Sequence, residues 1–154
     1  MQDAHALVFD HTKISRTVEN LDNGVRTTTT TSDADLLPVL QRHPREMGTL
    51  YQRGGMVRGW DPVFRELAAH SDKVDMAVED IENGVVVTST SEDPEVVKLI
   101  QAHAAKVSDM VQRGVPAMQE PTPLPEDYGR EAATGACPAP ASEPAVAPEA
   151  PVDE

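Results

Sequence analysis

The chain has 154 residues, and its 13 lysines and arginines against 26 aspartates and glutamates give a formal net charge of −13 at pH 7. Because such a charge repels phosphate groups, the composition disfavours a nucleic-acid partner. A single cysteine rules out an internal disulfide and a thiolate metal cluster, and no apolar run is long enough for a membrane span.

The first predicted elements in chain order are a short helix and a β-hairpin. A weak helical pattern over 4–11 precedes a strand pattern over 14–21. The dipeptide Asn23-Gly24 predicts a two-residue turn, because both residues tolerate positive φ. The return strand carries five consecutive threonines at 27–31, a run typical of a solvated strand at a sheet edge.

A long helix follows this hairpin. Asp33 is a suitable N-cap, and Gly54 is a natural stop after a helix that ends near Arg53. Pro44 lies inside this helix and removes a backbone donor, so we expect a kink or a break there.

The same pattern returns 60 residues later. Residues 10–58 align with 70–118 without a gap, and 14 of the 49 aligned positions are identical. The second copy has its own Asn83-Gly84 turn, and its long helix has Asp93 as the N-cap. A gapless match of this kind indicates two copies of one supersecondary unit.

These patterns predict an α+β fold in one globular domain over residues 1–118. The domain consists of two tandem helix-hairpin-helix (αββα) repeats, about 4–58 and 60–118. One hairpin from each repeat contributes to a four-stranded antiparallel sheet, and the two long helices cover one face of that sheet.

Both hairpins contain Val-Glu, Asn-Gly-Val and a following Asp, both long helices contain Gln-x-His, and the joint between the copies reads Trp60-Asp-Pro-Val-Phe64. With this combination the chain resembles, over about residues 5–118, an uncharacterised bacterial family of two-repeat hypothetical proteins that has no established activity. The resemblance implies the two-repeat domain and carries over no catalytic or binding residue.

The last predicted segment, 119–154, is an acidic tail. It holds eight of the 13 prolines and eight acidic residues against one arginine. Proline removes backbone donors and alanine buries little surface, so we expect this segment to be disordered. It also contains Cys137, which we interpret as an incidental exposed thiol.

Histidines are the most suggestive residues for a ligand site. His43 and His103 occupy equivalent positions on the apolar stripes of the two long helices, and Met47 lies one turn after His43. His11 and His70 lie just before the first strand of each hairpin. Imidazole and thioether ligands suit copper or haem iron, so the candidate site is a copper ion or a b-type haem held by His43 and His103, with His11, His70 and Met47 as further ligands.

We therefore expect a non-enzymatic binding protein rather than an enzyme, because no nucleophile or carboxylate pair has a motif context. One alternative is a ligand-free interaction module that forms a homodimer through its free sheet face or its edge strands, with the histidines purely structural. A small cofactor-free enzyme ranks third. Without a targeting segment the default compartment is the cytoplasm, whereas the tail composition would suit an exported protein whose signal peptide has been removed.

Overall fold

A computed structural model of the chain describes residues 2–129. The predicted α+β class and the four-stranded antiparallel sheet are confirmed. Cys137 and residues 130–154 of the predicted tail lie outside the described residues. Within the described part, no helix has the length and apolar character that crossing a membrane requires.

Helices and hairpins alternate along the chain. The helices are α1 (Gln2–Phe9), α2 (Leu37–Gln52), α3 (Pro62–Ala69), α4 (Pro94–Arg113) and α5 (Val115–Gln119). The strands are β1 (Ile14–Leu21), β2 (Gly24–Thr31), β3 (Asp75–Ile81) and β4 (Gly84–Thr90). A short 3₁₀ turn precedes each hairpin, at His11–Lys13 and at Ser71–Lys73.

The sheet has the strand order β1-β2-β4-β3, and all three pairings are antiparallel. β2 and β4 form the central pair, and Thr27 lies opposite Val87, the residue 60 positions later. Gly24 pairs with Thr90 at one end of this register. The centre of the sheet therefore brings together corresponding positions of the two hairpins.

The two Asn-Gly sequences differ from the predicted turns. Asp22 and Asn23 form the first loop, and Gly24 is already a strand residue that pairs with Leu21. Gly24 does not have a positive φ. A Cβ on Gly24 would lie 1.9 Å from the carbonyl oxygen of Ser89, so glycine is needed there because β4 approaches too closely for any side chain.

The long helices lie across the hairpins. α4 packs on β1 and β2, whereas α2 packs on β3 and β4 as well as β2. Gln101 of α4 donates its side-chain amide to the carbonyl oxygens of Leu21 at 3.1 Å and Gly24 at 3.2 Å. Gln41 of α2 makes the corresponding two bonds to the second hairpin, at 3.2 and 3.1 Å. Each long helix is thus tied to the hairpin of the other half of the chain.

Helix ends follow local capping chemistry. Asp61 and Asp93 accept hydrogen bonds from the first backbone amides of α3 and α4. Asp33 accepts from two backbone amides of a preceding turn, and α2 begins later than predicted, at Leu37. α2 continues through Pro44 to Gln52.

The threonine run has a different environment from the predicted one. β2 is a central strand rather than an edge strand, and Thr27, Thr29 and Thr31 are buried. Alternate side chains of a strand point to opposite faces, so these three hydroxyl groups lie on the face that the helices cover. Thr31 donates to the carbonyl oxygen of Lys13 at 2.8 Å, which satisfies its buried hydroxyl.

The chain packs against the domain beyond residue 118, where the tail was predicted to begin. Thr122 is buried and donates both its amide and its hydroxyl to Asp61, at 2.9 and 2.8 Å. The hydroxyl of Tyr128 donates to Glu66 at 2.9 Å. Composition alone indicates disorder for 119–129, but these side chains provide the anchoring that proline and alanine do not.

Candidate functional site

A cavity of about 310 Å³ lies between the sheet and the helices. Its floor is one face of the sheet, and α1, α2, α3 and α4 provide its walls. Most lining side chains are apolar, and four are methionines: Met47, Met76, Met110 and Met118. Methionine is flexible and polarizable, so such a lining can adapt to the shape of an apolar molecule.

Corresponding positions of the two halves meet around this cavity. Strand alternation directs Val25 and Val85 to the floor, and helical spacing places His43 and His103 on the walls. The surrounding core has two buried clusters, one around Leu99 and one around Leu40. Residues from both halves of the chain thus line the cavity.

The cavity brings together His43 and His103, the two histidines predicted to share a ligand, and it also includes Met47. The ring of His103 lies 4.9 Å from that of Phe64. Burial, followed by the positive charge of Arg16, lowers the pKa of His103 to about 4, and burial also lowers the pKa of His43. Both imidazoles are therefore neutral at pH 7, the form in which they bind metals.

Two polar atoms on α2 lack a hydrogen-bond partner within the described part of the chain. They are Nδ1 of His43 and the hydroxyl of Tyr51, and both residues line the cavity. Burial raises the pKa of Tyr51 to about 12, so its phenol stays protonated. Buried polar atoms without partners are rare in folded proteins, which makes this wall a candidate for contact with a ligand.

Arg16 of β1 also lines the cavity. Its guanidinium donates to the hydroxyls of Ser108 at 3.1 Å and Thr29 at 3.2 Å, and to the carbonyl oxygen of Ala104 at 3.5 Å. All three acceptors are uncharged. Burial lowers the pKa of Arg16 to about 10, so the side chain is cationic at neutral pH.

A second arginine at the cavity, Arg58, has a different environment. It pairs with the buried carboxylate of Asp61 at 3.0 Å and lies over the ring of Trp60. Burial raises the pKa of Asp61, but hydrogen bonds from Thr122, Arg58 and backbone amides outweigh this and hold it below its ordinary value. The charge of Arg58 is thus paired within the fold, whereas its Nε is buried without a hydrogen-bond partner in the described part of the chain.

The other two predicted ligands lie outside the cavity. His11 contacts the carbonyl oxygen of Val111 through Nδ1 at 2.7 Å, and its ring fills the space beside Gly114. His70 ends α3 and lies 3.7 Å from Glu66. Both imidazoles have ordinary protein neighbours. Within residues 2–129, no group of three or more His, Cys, Asp or Glu side chains is placed to hold a metal ion.

Sequence reasoning missed Arg16 and Tyr51 as site residues. A signal for Arg16 was present, because strand alternation puts it on the same face as Ile14, which is buried. The corresponding residue of the second copy is Met76, so a charge stands where the pattern calls for an apolar side chain. Tyr51 lies two turns after His43 on the same helix face, and Val111 stands at the corresponding position.

Comparisons with known proteins do not assign the chain to a family. No protein-family model matches the chain, and neither a curated protein nor a solved structure matches it. The resemblance to a two-repeat bacterial family therefore stays a prediction.

Proposed function

We propose that the chain is a non-enzymatic binding protein that holds one small, largely apolar organic molecule in the cavity between its sheet and its helices. The observation that carries this proposal is the cavity itself, about 310 Å³ with a mostly apolar lining. This volume is at the lower end of the range for small-molecule sites, about 300–1,000 Å³.

The apolar lining supports the same proposal. Burying apolar surface of a bound molecule against apolar side chains is favourable by about 25 cal/mol per Å² removed from water. The side chains that line the cavity are mostly apolar, so an apolar molecule gains more here than a polar one.

Binding of the neutral dye Nile red tests this proposal. We expect one dye molecule per chain with a blue-shifted emission, and loss of binding in Val87→Phe, which places a larger side chain on the floor of the cavity. Thr88→Phe is the matched control, because its side chain points to the opposite face of the same strand. A folded wild-type protein that leaves the dye emission unchanged, or a folded Val87→Phe that binds normally, would contradict the proposal.

A second candidate function is binding of a copper ion or a b-type haem. The observation that favours it is that His43, His103 and Met47 line the same cavity. Imidazoles are common ligands of haem iron, and imidazoles with a thioether suit Cu(I), so His43 and His103, with Met47 for copper, would be the residues that hold either group.

Titrations with haemin and with Cu(I) separate this candidate from the first. Haem binding predicts a shifted Soret band, and copper binding predicts one tightly held ion per chain. Either signal should disappear in the double variant His43→Ala/His103→Ala and persist in His70→Ala, which changes a histidine outside the cavity. Equal signals in the two variants, or none in the wild type, would rule out this pair of ligands.

We also propose that the domain consists of two tandem αββα units derived from one ancestor. The support is the gapless alignment of residues 10–58 with 70–118, together with the reciprocal bonds of Gln41 and Gln101. Dimerisation through the sheet face opposite the helices remains the alternative role, and light scattering of the purified protein tests it.

A further inference from the structure

The cavity has chemically different side chains at two corresponding positions of its floor, Arg16 on β1 and Met76 on β3. Arg16 contacts Ser108 on α4 in one half, at 3.1 Å. Sixty residues along the chain from Arg16 stands Met76, whose sulfur lies 3.4 Å from where a Cβ on Gly48 would be, and Gly48 is the residue that corresponds to Ser108. One end of the cavity is therefore cationic and forms hydrogen bonds, whereas the corresponding position in the other half is apolar.

The charge of Arg16 is uncompensated within the described residues. Its three acceptors are two hydroxyls and a carbonyl, whereas Arg58 at the same cavity has the carboxylate of Asp61. Three of its five N–H groups donate to these acceptors, which leaves donors for a further partner. A half-buried guanidinium without a counter-charge is unfavourable, and a negative group in the cavity would relieve that cost.

We infer that the molecule held in the cavity is an amphipathic monocarboxylate, whose carboxylate pairs with Arg16 while its apolar body extends toward Met76. This inference rests on the proposed function and adds the chemical class of the ligand. The planar guanidinium matches a carboxylate through two parallel hydrogen bonds, a geometry that a neutral hydroxyl cannot reproduce. The methionines around the rest of the cavity accommodate a flexible hydrocarbon chain.

Three ligands with the same chain and different head groups test the inference. Isothermal titration calorimetry at pH 7, below the micelle concentration, would compare decanoate, decan-1-ol and decylammonium. We expect decanoate to bind the wild type about 10- to 100-fold more tightly than the alcohol, because charge-assisted hydrogen bonds are the stronger kind. Decylammonium should bind most weakly, because it places a second positive charge beside Arg16.

Arg16→Met is the decisive variant, because methionine is the residue that the chain carries at the corresponding position. It should weaken decanoate binding at least 10-fold more than it weakens binding of the alcohol, so that the preference for decanoate is lost. Arg16→Gln removes the charge and keeps hydrogen-bonding capacity, and it should give the same loss. Arg26→Met changes an exposed arginine of β2 and should preserve the preference for decanoate.

The outcomes separate this inference from the proposed function. Equal affinities of the wild type for decanoate and decan-1-ol would overturn the carboxylate inference and leave the apolar-cavity proposal intact. Nile red binding without decanoate binding would do the same. Failure of Nile red and all three decyl ligands would overturn both. If neither Arg16 variant folds, the head-group preference of the wild type still decides.

Discussion

At the scale of single residues, the cavity shows how burial sets the chemistry of a side chain. His103 carries an imidazole in surroundings that disfavour its charged form, and the groups that act on it come from several elements. Arg16 on β1, His43 on α2 and Arg58 near α3 all lower its pKa, whereas Asp61 raises it. Burial is the largest cause, so this histidine is neutral across the physiological range.

The low pKa of His103 predicts a specific acid sensitivity. Its pKa is about 4 in the folded chain and about 6.5 when unfolded, so the unfolded state binds the additional proton between these pH values. The free energy of unfolding therefore falls as the pH drops from 6.5 toward 4, by up to roughly 3 kcal/mol from this group. His103→Gln should remove that part of the loss, measured by urea unfolding at pH 7 and pH 4.5.

His70→Gln is the matched control for this measurement, because His70 lies outside the cavity. Carboxylates also titrate in acid, but both variants contain the same ones. Their contribution to the loss in free energy of unfolding therefore cancels when the two variants are compared. An equal loss of stability in His103→Gln and the wild type would show that this imidazole is not held neutral by its surroundings.

At the scale of elements, the two glycines that begin β2 and β4 govern how closely the central strands approach. A Cβ on Gly84 would lie 1.9 Å from the carbonyl oxygen of Thr29, as one on Gly24 would from that of Ser89. Backbone atoms of a central strand cannot move aside as a flexible side chain can. The approach also positions the hairpin loops for the bonds from Gln41 and Gln101.

Gly24→Ala should consequently be among the most damaging single substitutions in the chain. We expect a loss of at least about 3 kcal/mol in the free energy of unfolding, since the added methyl group must separate β2 from β4. Gly48→Ala is the contrasting control, because its Cβ would make ordinary contact with Met76 and alanine favours the helix by about 1 kcal/mol. Chemical denaturation measures both, and a change below about 0.5 kcal/mol in Gly24→Ala would refute the steric argument.

At the scale of the whole molecule, sequence patterns predicted the elements better than their surroundings. Strand alternation and helix caps indicated the hairpins and most helix ends, because those signals are local. The order of the strands in the sheet depends on pairing between hairpins that are distant in sequence, and no local signal reports it. The threonines at 27–31 were therefore assigned to an edge strand, although β2 is central. The anchoring of Thr122 on Asp61 depends on a contact across 61 positions and could not be foreseen from a proline-rich segment.

The candidate site was predictable in part for the same reason. The alignment of the two copies at an offset of 60 residues indicated that His43 and His103 occupy equivalent places, and both line one cavity. It gave no reason to separate them from His11 and His70, whose neighbours are set by helix packing rather than by sequence spacing. Arg16 was not predicted as a site residue, because what distinguishes it is that its hydrogen-bond acceptors in the described chain are uncharged. That property depends on three-dimensional packing and has no signal in the sequence.

The reciprocal ties between each long helix and the opposite hairpin have a consequence for how the chain can be divided. A cut in the connection between α2 and α3, near Gly55, would yield two fragments that each contain a hairpin and a long helix. Neither fragment could secure its own loop, since the glutamine that does so belongs to the other piece. The fold would form again only when both fragments are mixed. The space enclosed between the sheet and the helices would likewise exist only in the reassociated pair, since both fragments line it.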